Sequence, residues 1–273
     1  MSHTEPRVIQ RACPLCGHDN QQQPSSPFSK GEWIIKECVK CQFVYLENAP
    51  DYSRLSTEFA WEKTSVAETV ERVQREPVVT AISQQAKAVR SSWLKRQKLM
   101  DLTQAYVPLG PVLDIGCGTG SGFKKWADGY VPHGIEISRE LARRAHKVAK
   151  ARGGRVIEAD AVSGLKQFPS LHFSGVLMSA FLEHEAHPGP LLKETARVLR
   201  KDGACVIKVP NYGSWNRKLR GQRWCGFRWP DHVNYFTPES LVKLCQDSGL
   251  SVKRFRFQDR HPISDNMWLV VGK

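Results

Sequence analysis

The chain has 273 residues, with 40 Lys+Arg against 27 Asp+Glu for a formal net charge of +13. At roughly 100–200 residues per domain this allows one full domain and a small one, and 41% hydrophobic residues suffice for a core and exclude wholesale disorder. No apolar run approaches the roughly 20 residues that span a bilayer and Met1–Gln10 lacks the apolar stretch of a secretion signal, so no membrane partner and a cytoplasmic location are expected.

The positive charge is concentrated late in the chain. Residues 1–105 hold 14 Lys+Arg and 12 Asp+Glu, while residues 106–273 hold 26 and 15. An acidic partner would therefore meet the second part.

Residues 1–48 carry two CxxC pairs, Cys13/Cys16 and Cys38/Cys41, separated by a polar loop that contains QQQPSSP. In a chain that is not exported, paired knuckles read as metal ligands rather than disulfides. Each CxxC turns both thiolates toward one ion, and two of them complete a tetrahedron suited to a structural Zn2+ with no open position. A zinc ribbon over 1–48 is expected.

Residues 49–105 are polar and loosely helical in pattern. They read as a helical linker or cap, with a helix from about Val79 to Ala105. From there strands and helices alternate through residues 106–273. Strands are predicted at 111–116, 134–138, 155–160, 175–181 and 204–211, with a closing β pair at 251–258 and 266–273. Helices are predicted at 139–152, 189–200 (stopped by Asp202-Gly203) and 238–249, the last capped by Thr237. This alternation specifies an α/β fold: a doubly wound, Rossmann-like, seven-stranded, mostly parallel sheet.

The chemistry concentrates in VLDIGCGTGSG, Val112–Gly122. Gly116, Gly118 and Gly120 follow a strand directly and are expected to open a helix. The spacing is neither the dinucleotide GxGxxG nor a phosphate loop ending in Gly-Lys-Ser/Thr. Asp114 would repel a pyrophosphate but suits an ammonium group. Glu136 ends the next strand, at the distance where a carboxylate accepts ribose hydroxyls. Asp160 ends the third and can take an adenine amino group or cap the following helix. Three acids at the carboxyl ends of successive strands describe a crevice for a ligand with an ammonium, a ribose and an adenine.

On these residues the chain resembles the class I S-adenosylmethionine-dependent methyltransferases. VLDIGCGTG is similar to their first motif, GIEIS to the second and IEAD to the third. The segment from Ser179 to Asn211 is similar to their block around the fourth and fifth strands. The resemblance spans about 110–273. It implies S-adenosyl-L-methionine as cofactor, with Gly116, Gly118 and Gly120 along its methionine part and Asp114 at its amino group. Glu136 would take the ribose, and Asp160 with the Ala161 amide the adenine.

Methyl transfer needs an acceptor in line with the sulfonium and, for some acceptors, a base. His184 in Phe181-Leu-Glu-His-Glu and His232 in WPDHVNYFT are the candidates; each also reads as a packing residue, and His187 reads as turn surface. Between Tyr212 and Phe236, Arg217, Lys218, Arg220, Arg223 and Arg228 alternate with Trp215, Trp224, Trp229, Tyr235 and Phe236. That composition suits an anionic or nucleotide-linked small acceptor, stacked RNA bases, or a solvated basic face with packed tryptophans. The stretch resembles a tail found in many small-molecule methyltransferases. For the zinc unit two resemblances compete, sugar C-methyltransferases and ribosomal RNA guanine methyltransferases. A small-molecule acceptor is the first expectation, RNA the second and a non-catalytic cofactor-binding protein the third.

Overall fold

A computed structural model describes residues 8–51 and 99–273. The N-terminal unit contains β1 (Val8–Gln10), β2 (Ile35–Glu37), β3 (Val44–Leu46) and β4 (Asn48–Pro50). β1 pairs antiparallel with β4, and β2 with β3. Its two knuckles repeat one geometry. The Gly17 amide donates to the Cys13 carbonyl over 2.8 Å, and the Gln42 amide to Cys38 over 2.7 Å. Gly17 and Gln42 both adopt positive φ, 73° and 60°.

The helix expected from Val79 lies mostly outside the described residues. Its last part is α1 (Leu99–Tyr106), which buries Leu102 and Thr103. β5 (Gly110–Ile115) follows, with Val112, Leu113 and Ile115 buried. Here one expectation is corrected. The glycine loop opens only a single 3₁₀ turn, Ser121–Lys125, before the chain enters β6 (Tyr130–Glu136). Gly118, Gly120, Gly122 and Gly129 leave too short a run of helix-forming residues for an α-helix.

The next elements follow the predicted alternation. They are α2 (Arg139–Lys150), β7 (Val156–Glu158), α3 (Ala161–Lys166) and β8 (Phe173–Ser179). Six of the seven residues of β8 are buried, as a strand covered on both faces requires. α4 (Pro188–Val198) leads into β9 (Leu199–Pro210). Asp202-Gly203 therefore lies inside a strand instead of stopping a helix. α4 ends earlier than expected because Leu199 leaves the helical region at ψ 136° and its chain pairs with β8.

After β9 come α5 (Trp215–Arg220), β10 (Asn234–Tyr235) and α6 (Pro238–Asp247), the last opened by a Thr237/Ser240 capping box. β11 (Ser251–Arg254) and β12 (Asn266–Gly272) close the chain. The main sheet has the order β11-β12-β9-β8-β5-β6-β7. Its strands are parallel from β7 to β9, and antiparallel pairing joins β9 to β12 and β12 to β11. Strand order reverses between β5 and β8, so the ligand crevice of such a sheet opens above the carboxyl end of β5.

The Tyr212–Phe236 stretch folds down on the cysteine unit. β10 pairs with β3, making one three-stranded sheet with β2. Trp224, Phe227, Val233 and Tyr235 share a buried cluster with Ile35, Val44 and Leu46. The Trp224 indole donates to Asp265 over 2.9 Å, and the Arg217 guanidinium stacks on Tyr212 at 4.1 Å. Most of these aromatics are thus core, with Trp215 left exposed.

Candidate active site

Asp114 lies one residue before the end of β5, and Glu136 ends the neighbouring β6. Asp160 stands two residues beyond β7. The predicted acids therefore top three adjacent strands. The Glu136 carboxylate holds the glycine loop against its own strand end. Its Oε2 accepts the Gly118 amide over 2.9 Å and its Oε1 the Ser138 amide over 3.0 Å. Gly118 has φ 54°, and among the described residues a Cβ there would meet nothing within 4 Å, so its face is left clear by them. At Gly116, with φ 74°, a Cβ would lie 2.5 Å from the Phe181 ring. That contact brings the segment after β8 onto the loop. Gly120, with φ 71°, caps the 3₁₀ turn.

Asp114 is half-buried. Burial, then the charge of Glu136, pushes its carboxyl up to about 7. Asp160 is the N-cap of α3, its Oδ1 accepting the Ser163 amide over 2.9 Å. The capping alternative is therefore realised through one oxygen, and Ala161 is the first residue of α3. An open glycine face beside Asp114 and Glu136 fits a ligand with an ammonium and a ribose.

The two histidines of the sequence reading meet. Their rings lie edge to face with centroids 4.7 Å apart. His184 Nδ1 is 2.9 Å from the Asp231 carbonyl oxygen, and His232 Nδ1 is 2.8 Å from that of Gly226. A carbonyl only accepts, so each Nδ1 carries the proton and each Nε2 keeps its lone pair. Burial lowers His184 to about 4, with Arg228 adding to the effect, and His232 falls well below the usual histidine value. Both rings are neutral at pH 7.

Glu183 was not singled out from sequence, although it adjoins His184. It is 1% exposed, and its Oε2 has no hydrogen-bond partner among the described residues. Burial raises its carboxyl to about 8, against the lowering effects of its own amide, Lys208 and Arg228. The turn that carries it, Leu182–His184, is pinned from β10. Asn234 Nδ2 donates to the carbonyls of Leu182 (3.0 Å) and Glu185 (2.7 Å). His187 is exposed at the start of α4, as expected.

Cys13, Cys16, Cys38 and Cys41 converge, with all four Sγ within 4.8 Å of one another. Two pairs stand at 3.5 and 3.6 Å. Zinc bonded to sulfur at about 2.3 Å gives tetrahedron edges of roughly 3.8 Å, whereas a disulfide needs about 2.05 Å. Burial raises the Cys38 thiol, but the backbone amides of Cys41 and Lys40 together with side-chain hydrogen bonds of Asn20 and Cys16 bring it to about 6, while burial pushes Cys13 and Cys41 up in the absence of an ion. The donor set thus fits a zinc ion.

A family model of the methyltransferase domain matches residues 88–254, more than half of the chain. The chain belongs to this methyltransferase family. With it comes S-adenosylmethionine as the cofactor of an S-adenosylmethionine-dependent methyltransferase. The chain is 25% identical over 150 residues to the uncharacterized protein MJ1123 of Methanocaldococcus jannaschii, covering 55% of this chain and 69% of that one. A crystal structure of an S-adenosylmethionine-dependent methyltransferase from Methanosarcina mazei superimposes with TM-score 0.50 at 23% identity, over 64% of this methyltransferase and 96% of that chain. The [4+2]-cyclase SpnF superimposes with TM-score 0.50 at 20% identity, over 64% and 80% respectively. These likenesses establish the fold. Among the described residues no helix is long and apolar enough to cross a membrane.

Proposed function

We propose that this methyltransferase acts on a small anionic or nucleotide-linked metabolite that enters beside Glu183, His184 and His232. The observation that carries this reading is the enclosure of that cluster. Glu183 and His232 are buried, and most of the aromatic residues that would stack RNA bases, all but the exposed Trp215, are packed against the cysteine unit instead. Lys208 and Arg228, whose charges act on Glu183, suit an acceptor with negative charge.

S-adenosylmethionine, when bound, supplies a methyl group activated by its sulfonium charge. In this reading Asp114 takes the amino group, directly or through water, and the loop of Gly116, Gly118 and Gly120 runs along the methionine part, with Gly118 giving the close approach while Gly116 and Gly120 make room for Phe181 and Ala145. Glu136 orients the ribose while keeping the loop amides of Gly118 and Ser138. Asp160 meets the adenine with the oxygen not used for capping, beside the Ala161 amide. A neutral Nε2 of His184 or His232 can receive the acceptor's proton. In this reading residues 1–48 are the zinc ribbon and 106–273 the catalytic domain; the expected helical linker or cap, 49–105, lies mostly outside the described residues.

The test is a transfer screen with methyl-labelled cofactor, run in parallel on an anionic metabolite extract and on total RNA. Label in a small anion, with no RNA mobility shift at low salt, is the expected result. Label in RNA, with binding that falls steeply as salt rises, would overturn the small-acceptor reading in favour of RNA.

A further inference from the structure

We propose that Glu183, His184 and His232 form a second metal centre, distinct from the four cysteines, which takes a divalent cation such as Mn2+ or Zn2+ and leaves coordination positions open toward the acceptor. The proposal deepens the reading above, since it rests on the acceptor entering at this end of the sheet; with the ion bound, both Nε2 lone pairs serve the metal and neither histidine is then the base.

Three observations carry it. First, one carboxylate oxygen of Glu183 and one ring nitrogen of each histidine lie within 4.8 Å of one another. Donors that bind one ion at about 2.1 Å stand roughly 3–4 Å apart, so modest side-chain movement closes the set. Second, each histidine is held by one ring nitrogen and keeps the other for an ion. Each spends its Nδ1 proton on a backbone carbonyl, of Asp231 or of Gly226, and leaves Nε2 free. Metal-bound histidines are commonly fixed in this way. Third, Glu183 is buried with an oxygen that no group among the described residues satisfies. An unpaired buried carboxylate oxygen costs stability, and a cation removes that cost.

Two imidazoles and one carboxylate are a donor set for divalent transition metals with open positions. Lys208 and Arg228 stand near the cluster. Their repulsion of the ion is offset when an anionic acceptor completes its shell. The site also lies next to the cofactor crevice. Phe181, which stands over Gly116, is the residue just before the Leu182–His184 turn.

The experiment titrates Mn2+ into the full chain with its cysteine site loaded with zinc, and follows the free ion by electron paramagnetic resonance. One bound Mn2+ per chain is expected, and Glu183→Gln should weaken it by about 100-fold or more. Calorimetry with S-adenosylmethionine on each protein reports whether the variant is folded. Co2+ titrated into the same wild-type protein should add ligand-field bands without new thiolate charge-transfer intensity. A wild-type chain that binds neither ion, or a folded Glu183→Gln that binds as tightly as wild type, overturns the proposal. Mn2+ binding accompanied by transfer to RNA alone would keep the metal centre and overturn only the small-acceptor reading.

Discussion

Arg11 and Asn234 couple the cysteine unit to the turn that carries the histidine cluster. Arg11 Nη2 donates to Asn234 Oδ1 over 2.6 Å, while Arg11 Nη1 donates to the carbonyls of Leu46 and Val233. Asn234 spends its own amide hydrogens on Leu182 and Glu185, on either side of Glu183-His184. The N-terminal unit therefore supports the turn that carries Glu183 and His184, while the glycine loop and its acids stand on other elements.

Arg11→Ala should for this reason separate the two halves of the site. It removes charged hydrogen bonds from a buried residue, each worth roughly 1.5–3 kcal/mol, so thermal unfolding should show a clear loss of stability. Calorimetric affinity for S-adenosylmethionine should stay within about twofold, while methyl transfer to the true acceptor falls at least about tenfold. Equal losses in both would contradict the partition of the site.

Zinc in the cysteine unit should be stoichiometric and structural. Metal analysis is expected to find one zinc per chain bound by cysteine, and Cys38→Ser should lose it. Because Trp224, Phe227 and Tyr235 pack with β2 and β3, tryptophan fluorescence should shift to the red in that variant. A Cys38→Ser chain with wild-type fluorescence and full zinc would refute the assignment.

The main sheet was legible because its buried strands are short apolar runs set between polar helices, and because the glycine loop and three acids recur at strand ends. The CxxC spacing made the cysteine cluster legible too. The pairing of β10 with β3 was not, since it joins Asn234–Tyr235 to Val44–Leu46 across most of the chain. No local pattern reports a contact of that range. Arginines interleaved with aromatics read alike whether the aromatics face solvent or a partner sheet. The role of Glu183 was hidden for a related reason. A Glu beside a His in a loop reads as surface until burial is known.

Glu136→Ala should weaken cofactor binding by about 1–3 kcal/mol. The structure adds a second consequence, because the carboxylate also holds the Gly118 and Ser138 amides. Hydrogen exchange in the glycine loop should therefore quicken even without cofactor. Unchanged affinity by calorimetry would remove Glu136 from the ribose.

Asp114 should make cofactor binding depend on pH near neutrality. Its carboxyl titrates at about 7 in the folded chain against an ordinary value of 3.8, chiefly through burial and then through Glu136. Between these values the folded chain holds a proton that the unfolded chain has released. Stability from this group is thus full below about 3.8 and declines as pH rises through 7. Asp114→Asn removes the penalty, so the cofactor-free variant should be more stable than wild type at pH 8 by about 1–2 kcal/mol, since part of the side chain stays open to water. The two should converge near pH 4. The cofactor's ammonium favours the ionised carboxylate, so wild-type affinity should climb between pH 6 and 8 and level off above. The Asn variant should bind more weakly and lack the climb. Calorimetric titrations of both proteins across that range check the sign, and a wild-type affinity that falls with rising pH would place the amino group elsewhere.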